Sequence, residues 1–236
     1  MVHNNLILWP ICRYYNDNVY PWLDAYTEDV GSGSHLHISL SKNGENVFTA
    51  SEEPNRYGIS KIGESFMAGV LDHLRSICVF TMPILNSYQR QMFKSLNSYY
   101  LCWGIECKEL VVRACCPPGA ADIVTNFEIT TFDGTANPHL GLACIIIAGI
   151  NGLRRRLPIP EPVEPNAYVF DYNDYNDDIR VPGDLRDSII HIDSDEWFKD
   201  MLGENFVETS GGVVREELGH RQCDREKIYA YIVFNY

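Results

Sequence analysis

The sharpest hydrophobic and polar alternation in the chain lies in Gly31-Ser-Gly-Ser-His-Leu-His-Ile-Ser-Leu40. Two glycines permit a tight turn, and the period-two pattern that follows predicts a strand. Successive strand side chains point to opposite faces, so Leu36, Ile38 and Leu40 form an apolar face and His35, His37 and Ser39 a polar one. Lys42-Asn-Gly-Glu45 predicts a hairpin turn that brings Asn46–Thr49 back as a partner strand. Between Ser60 and Phe80, Ile62, Phe66, Val70, Leu74, Ile77 and Cys78 recur at helical spacing, which predicts one core helix ending before Pro83. Leu110-Val-Val-Arg113 predicts a short strand. Asn126–Phe132 predicts another, with Phe127 and Ile129 facing opposite Glu128 and Thr130. Asn137 as N-cap and Pro138 at the first helical position open a helix that continues through Ile150 to the arginines at 154–156.

The rest of the pattern is less regular. Residues 1–30 predict loop with one short strand at most. Pro158 to Asp184, rich in Pro, Asn, Asp and Tyr, predicts a long surface loop. Leu185–Leu202 and Val213–Ile232 predict a helical tail punctuated by Gly203 and Gly211-Gly212. No internal repeat and no nucleotide P-loop is present.

Composition narrows the function. The 236 residues are 45% hydrophobic, enough for a sizeable core. A net charge of −13 argues against nucleic acid and anionic membrane as partners, because phosphate surfaces are met by basic ones. The eight cysteines contain no Cys-x-x-Cys, and the adjacent pair Cys115-Cys116 is poor geometry for a disulfide. Reduced thiols in a cytoplasmic protein are the expectation. The apolar runs at 6–12 and 144–150 are too short to span a membrane.

Chemistry concentrates on the first strand. A lone buried histidine is usually just hydrogen-bonded, but two at i and i+2 beside a glycine loop point to a metal or phosphate site. A cupin-type metal strand would carry a glutamate four or five residues after the second histidine, where this chain has Ser41 and Lys42. Glu128 is a strand carboxylate beside a hydroxyl; this pattern usually marks a solvated face, and it also presents an oxygen ligand to Mg²⁺. In Asn86-Ser-Tyr-Gln-Arg90 the guanidinium follows turn residues and suits a carboxylate or phosphate.

The order of these motifs resembles the C-terminal part of the glutamine synthetase catalytic domain. The resemblance rests on Gly31-x-Gly-x-His35-x-His37-x-Ser39, Ala68-Gly-Val-Leu-x-His73, Asn86-Ser-Tyr-x-Arg90, Arg113, Phe127-Glu128, Ala136-Asn-Pro-x-Leu140 and Ala148-Gly-Ile-x-Gly152. Cys102-Trp-Gly104 and Asn126-Phe-Glu-Ile129 are similar to the nodulin-like or FluG-type branch in particular. The match runs from 29 to 165 and more loosely through the tail.

The resemblance implies an α+β fold, a curved antiparallel sheet backed by helices with a helical C-terminal tail. It divides the chain into a poorly matching segment 1–28 and a catalytic-domain portion 29–236, with the surface loop at 158–184 and the tail at 185–236. It implies an ATP-dependent ligase that forms an amide from glutamate or a related acid and ammonia or another amine, through a γ-glutamyl phosphate, with Mg²⁺ or Mn²⁺. By resemblance, His35 and Glu128 ligate the metal, while His37, Ser39, Arg113 and Lys108 line the nucleotide. Gly31 and Arg90 hold the acid, and Arg90 and Arg113 serve the reaction, Arg113 by stabilising phosphate charge.

Val30, Lys108 (for Arg), Thr130 (for Arg) and a flap without its glutamate depart from the family pattern, which opens the identity of the acid and the amine. The family's upstream metal-binding glutamates have no counterpart in residues 1–28. A truncated chain, inactive by itself, is therefore expected from a homo-oligomeric full-length parent. The competing expectation is a catalytically incomplete member that acts as a nucleotide-binding or assembly protein.

Overall fold

The computed structural model describes residues 2–4, 34–49, 57–85, 87–88, 100–108, 110–120, 123–163, 180–209 and 212. The predicted segments at 5–33 and 213–232, and most of 158–184, lie outside them.

The polar and apolar faces of the first strand are as the alternation predicts. Strand β1 (Val2–Asn4) pairs antiparallel with β2 (Leu36–Lys42), matching Val2 with Leu40 and Asn4 with Ile38. Leu36 and Ile38 are 2% and 0% exposed, and His35, His37 and Ser39 are partly exposed on the other face. At the Asn-Gly turn, Asn43 and Gly44 have φ of 54° and 86°. Two positive φ values in succession are what a two-residue hairpin with the right strand twist requires.

The returning strand β3 is only Glu45–Asn46, shorter than the expected Asn46–Thr49. Asn46 Oδ1 accepts from the Phe48 amide (2.8 Å) and its Nδ2 donates to Thr125 O (2.6 Å), turning the chain off the ladder. Phe48 then drops into the core at 0% exposure, with ring centroids 5.7 Å from Phe66 and 5.3 Å from Phe127. Burying a Phe outweighs a few strand hydrogen bonds that water replaces on the exposed side.

Two helices stand where one was expected. The hydroxyl of Ser60 caps α1 (Lys61–Asp72) by accepting from Gly63 N (3.0 Å), and α2 (Leu74–Thr81) follows after a break at His73 (φ −104°, ψ 5°). Ile62, counted as a core position, is 42% exposed, while Phe66, Val70, Leu74, Ile77 and Cys78 are buried. Strand β4 (Trp103–Ile105) was not foreseen, and β5 covers Val112–Cys115, two residues beyond the expected start. Glu106, at φ 52°, directly follows β4, and its amide donates to Ala114 O (3.0 Å). Strand β6 (Asn126–Ile129) completes a sheet with path order β1, β2, β6, β5, β4 and β3 paired to β2. Every pairing is antiparallel except β4 with β5.

Helix α3 (Pro138–Arg155) starts as predicted, Asn137 Oδ1 accepting from the amides of His139 and Leu140. It ends at Arg156 in the left-handed region. Helices α4 (Leu185–Ser194) and α5 (Glu196–Leu202) and a helical stretch at 204–209 form the described part of the tail. The apolar face of the sheet (Leu36, Ile38, Val112, Ala114, Phe127, Ile129) packs against α1, α2, α3 and α4 in one core. This is the α+β arrangement of sheet, helical layer and helical tail that the sequence implies. Within 158–163 the expected surface loop is tied to β4: Trp103 Nε1 donates to Pro160 O (2.7 Å) and Val163 N to Trp103 O (2.8 Å).

His73 explains the helix break. Its Nδ1 donates to Asp195 Oδ2 (2.7 Å) and its Nε2 accepts from Asn151 Nδ2 (2.7 Å), while Ser76 Oγ also donates to Asp195 Oδ2 (2.9 Å). The other oxygen of Asp195 caps α5 through the Phe198 amide (3.0 Å). Five helices thus meet in one polar cluster. Burial pushes the Asp195 carboxyl up, but hydrogen bonds from His73, Ser76 and the Phe198 amide outweigh it and hold the group below the ordinary 3.8. A depressed folded-state value means stability that is fully present above the ordinary value and is lost as pH falls through the folded one. The urea midpoint is expected to fall below pH 3.8, more steeply in the wild type than in Asp195→Asn, which starts lower and titrates less; parallel curves would remove Asp195 from the acid transition.

Candidate functional site

The polar face of the sheet carries a row of charged groups drawn from three strands. Register places His37 of β2 opposite Glu128 of β6, and Glu128 opposite Arg113 of β5. Pairs facing each other across a sheet lie within side-chain reach. His35, two residues before His37, leans on the same carboxylate: its Nδ1 donates to Glu128 Oε1 at 2.7 Å. His37 Nε2 lies 3.6 Å from that oxygen, and its Nδ1 donates to Asn126 Oδ1 at 2.8 Å. On the far side, Arg113 Nε donates to Glu128 Oε2 at 2.5 Å, and a second guanidinium nitrogen donates to the same oxygen.

Glu128 is therefore not on a solvated face. Its residue is 6% exposed, and both carboxylate oxygens are engaged. Burial would raise its pKa, but hydrogen bonds from His35 and His37 and the charges of His35 and Arg113 hold it far below the usual carboxylate range. Hydrogen bonding to Cys115 first and Glu128 next, against the opposing effect of burial, raises His37 to about 10. Both ring nitrogens of His37 face acceptors, which suits the doubly protonated ring.

Ser39 shares the polar face of β2, opposite His3 in register. Lys108 is exposed on the return between β4 and β5, and no described contact joins it to the cluster. Thr130 is buried and turns away, its hydroxyl shared between Leu110 O (3.3 Å) and Val111 O (3.4 Å). Gly31, Val30 and Arg90 lie outside the described residues.

Three neighbours escaped the sequence reading. Asn126 orients His37, Cys115 sits beside His37, and Glu106 Oε2 is 3.8 Å from an Arg113 nitrogen while its Oε1 accepts from Cys116 N (2.6 Å). Asn126 and Cys115 are two residues from Glu128 and Arg113, so period two alone places them on the same face. Glu106 carries no such signal, because it stands one residue beyond β4, a strand the sequence pattern does not show.

Imidazole and carboxylate side by side are suitable donors for a divalent ion, and His35 and Glu128 provide one of each. Among the described residues no group of three or more His, Cys, Asp or Glu is placed to hold a metal, so this pair is a partial donor set. Cys78, Cys107, Cys115 and Cys144 are free thiols, and no described helix is long and apolar enough to cross a membrane.

Residues 23–228 match the family described as "Glutamine synthetase, catalytic domain". The chain is 34% identical over 191 residues to a glutamine synthetase of Halobacterium salinarum, covering 79% of this chain and 41% of that protein. It is 28% identical over 208 residues to a glutamine synthetase of Clostridium saccharobutylicum, covering 87% and 45%. A crystal structure titled as a novel glutamine synthase homolog superposes with a TM-score of 0.71 at 27% identity, over 89% of this chain and 47% of that one. The chain thus spans less than half the length of these relatives. With the family's profile running through nearly the whole of the sheet and helices just described, the chain belongs to the glutamine synthetase catalytic-domain family.

Proposed function

We propose that this chain carries the nucleotide and metal face of an ATP-dependent carbon–nitrogen ligase of glutamine synthetase type, which joins glutamate or a related acid to ammonia or another amine through an acyl phosphate. One observation supports this above the others. Of the five charged side chains that the resemblance assigns to metal and nucleotide, four, His35, His37, Glu128 and Arg113, meet on one face of the sheet, across β2, β6 and β5, and Lys108 does not join them. An apolar face anchored in the core fixes those strands, so the site is preorganised by the fold rather than by a loop.

His35 and Glu128 would hold Mg²⁺ or Mn²⁺ together with oxygens beyond the described set. The ion, when bound, supplies positive charge to phosphate oxygens during transfer. His37, kept protonated by its acceptors, offers a donor to a phosphate or ribose oxygen beside it. Ser39 offers a hydroxyl farther along the same face. Arg113 offers a planar fork that matches two oxyanions at once, and phosphoryl transfer depends on such placement of charge. Gly31 and Arg90 are proposed for the acid and Lys108 for the nucleotide on the resemblance alone. Thr130, committed to two backbone carbonyls, leaves no guanidinium at its position to grip a substrate carboxylate, which favours an acid other than glutamate or a different grip on it.

Titrating the pure chain with Mg·ATP, alone and then with glutamate and a panel of amines, tests this reading through the heat of binding and the release of phosphate. Binding of Mg·ATP that His35→Ala and Glu128→Gln both abolish is expected. Phosphate release is expected only where further carboxylates complete the metal shell. A chain that binds no Mg·ATP, or whose binding ignores both substitutions, would sink the proposal.

A further inference from the structure

The ligase reading leaves a thiol on the polar face of the sheet without a role. Cys115 ends β5 opposite Asn126 of β6 and stands two residues from Arg113, so the pleat turns it to the same face as His37 and Glu128. Its sulfur accepts a hydrogen bond from the His37 ring, and Asn126 Oδ1 holds that ring at 2.8 Å. As a thiol it also donates to Arg113 O at 3.8 Å. A thiol beside an imidazole that a third side chain orients is the arrangement that activates a cysteine for attack. Arg113 adds a second positive group, shared with Glu128 and Glu106. Neighbouring cations favour the thiolate, which is the nucleophilic form. Cys78, Cys102 and Cys144 stand in contrast: burial pushes their thiols up, the latter two to about 12, which leaves them inert.

We propose that Cys115 is a nucleophilic thiol that small hydroperoxides oxidise, with His37 carrying positive charge beside the sulfur and Asn126 positioning His37. The sulfur attacks one oxygen of the peroxide. An S–O bond forms, the O–O bond breaks with its electron pair on the departing oxygen, and that hydroxide takes the proton the thiol gave up and leaves as water. The thiol is oxidised by two electrons to a sulfenic acid, and the peroxide is reduced. Size selects the oxidant. Cys115 is 8% exposed and the His37 side chain 34%, an opening that suits a molecule the size of hydrogen peroxide better than a bulky disulfide. Cys116 is the adjacent residue, and adjacent cysteines are poor geometry for a disulfide, so the sulfenic acid persists until an external thiol reduces it. This chemistry needs neither metal nor nucleotide on the face.

The test treats the whole chain with hydrogen peroxide in the presence of dimedone, which captures sulfenic acids, and reads each cysteine by fragment-ion mass spectrometry. The adduct is expected on Cys115, at a rate about tenfold or more above that of Cys116, although Cys116 is the more exposed of the two. Iodoacetamide, which needs a thiolate but no oxidant, should follow the same order. Asn126→Ala frees the His37 ring and His37→Gln removes the cation, so each should slow capture at Cys115 by about tenfold and leave Cys116 unchanged. Adducts on Cys78 and Cys144, which lie in the core, mark any variant that unfolds, and the wild-type order of Cys115 over Cys116 then decides alone. No adduct on Cys115, or one that forms first on Cys116, would overturn the proposal. Capture at Cys115 that folded Asn126→Ala and His37→Gln both leave at the wild-type rate would overturn it as well.

Discussion

Gly152→Ala is expected to unfold the protein at far lower urea than wild type, with a loss of about 3 kcal/mol or more. Gly152 of α3 and Gly69 of α1 face each other where the two helices cross. A methyl group on Gly152 would stand 2.0 Å from Ser65 O and 2.6 Å from Gly69 N, and one on Gly69 would stand 2.3 Å from Ala148 O. All three are backbone atoms, so no rotamer change relieves the contact, and the helices must separate. Alanine would gain about 1 kcal/mol of helix propensity over glycine. Overpacking by itself costs about 1–3 kcal/mol. Separation also uncovers Phe66, Val70, Cys144 and Ile145, all of which belong to the main core. The measurement is the urea midpoint with its slope. A Gly152→Ala protein within about 1 kcal/mol of wild type would mean that the helices do not cross at this distance.

The second large effect separates the two faces at the start of β2 by paired substitutions of adjacent residues. Leu36→Ala is expected to cost about 2–5 kcal/mol, because Leu36 is 2% exposed in the core beneath the sheet. Its divalent-metal affinity should stay close to wild type. His35→Ala should do the reverse: its side chain is 29% exposed, so its stability should stay within about 1 kcal/mol of wild type. Mn²⁺ binding, read by calorimetry, should be lost. Two variants that lower stability alike, with metal binding unchanged in both, would show that the polar face has no cation site.

Much of this architecture follows from local rules that act within a few residues. The alternation around His35 and His37 reports the pleat of β2, and Asn43-Gly44 reports the two positive φ values of the turn. Asn137-Pro138 reports the start of α3. Each depends only on backbone geometry and nearby side chains, so the chain itself carries the information. The same rules missed β4 and the break at His73. A three-residue strand has no usable period. The helix at 60–80 is continuous in its apolar spacing, and what interrupts it, the bond to Asp195 near the start of the tail, is distant in the chain.

The candidate site divides along the same line. Motif order pointed to His35, His37, Arg113 and Glu128, and a strand pattern could place each on a face. It could not reveal that Glu128 is buried, because the groups that bury it, His35 and His37 at the start of β2 and Arg113 of β5, come from other strands. Nor could it find Glu106, which directly follows β4 and is brought beside Arg113 by the parallel pairing of β4 with β5.

The sequence by itself determined which side chains of β2 face the core and which the polar side of the sheet, since period and capping are written in neighbouring positions. Only the tertiary structure decided that Glu128 is already claimed by Arg113. Ion pairing between strands depends on register and on the exclusion of water, and neither exists until the sheet has closed over its core.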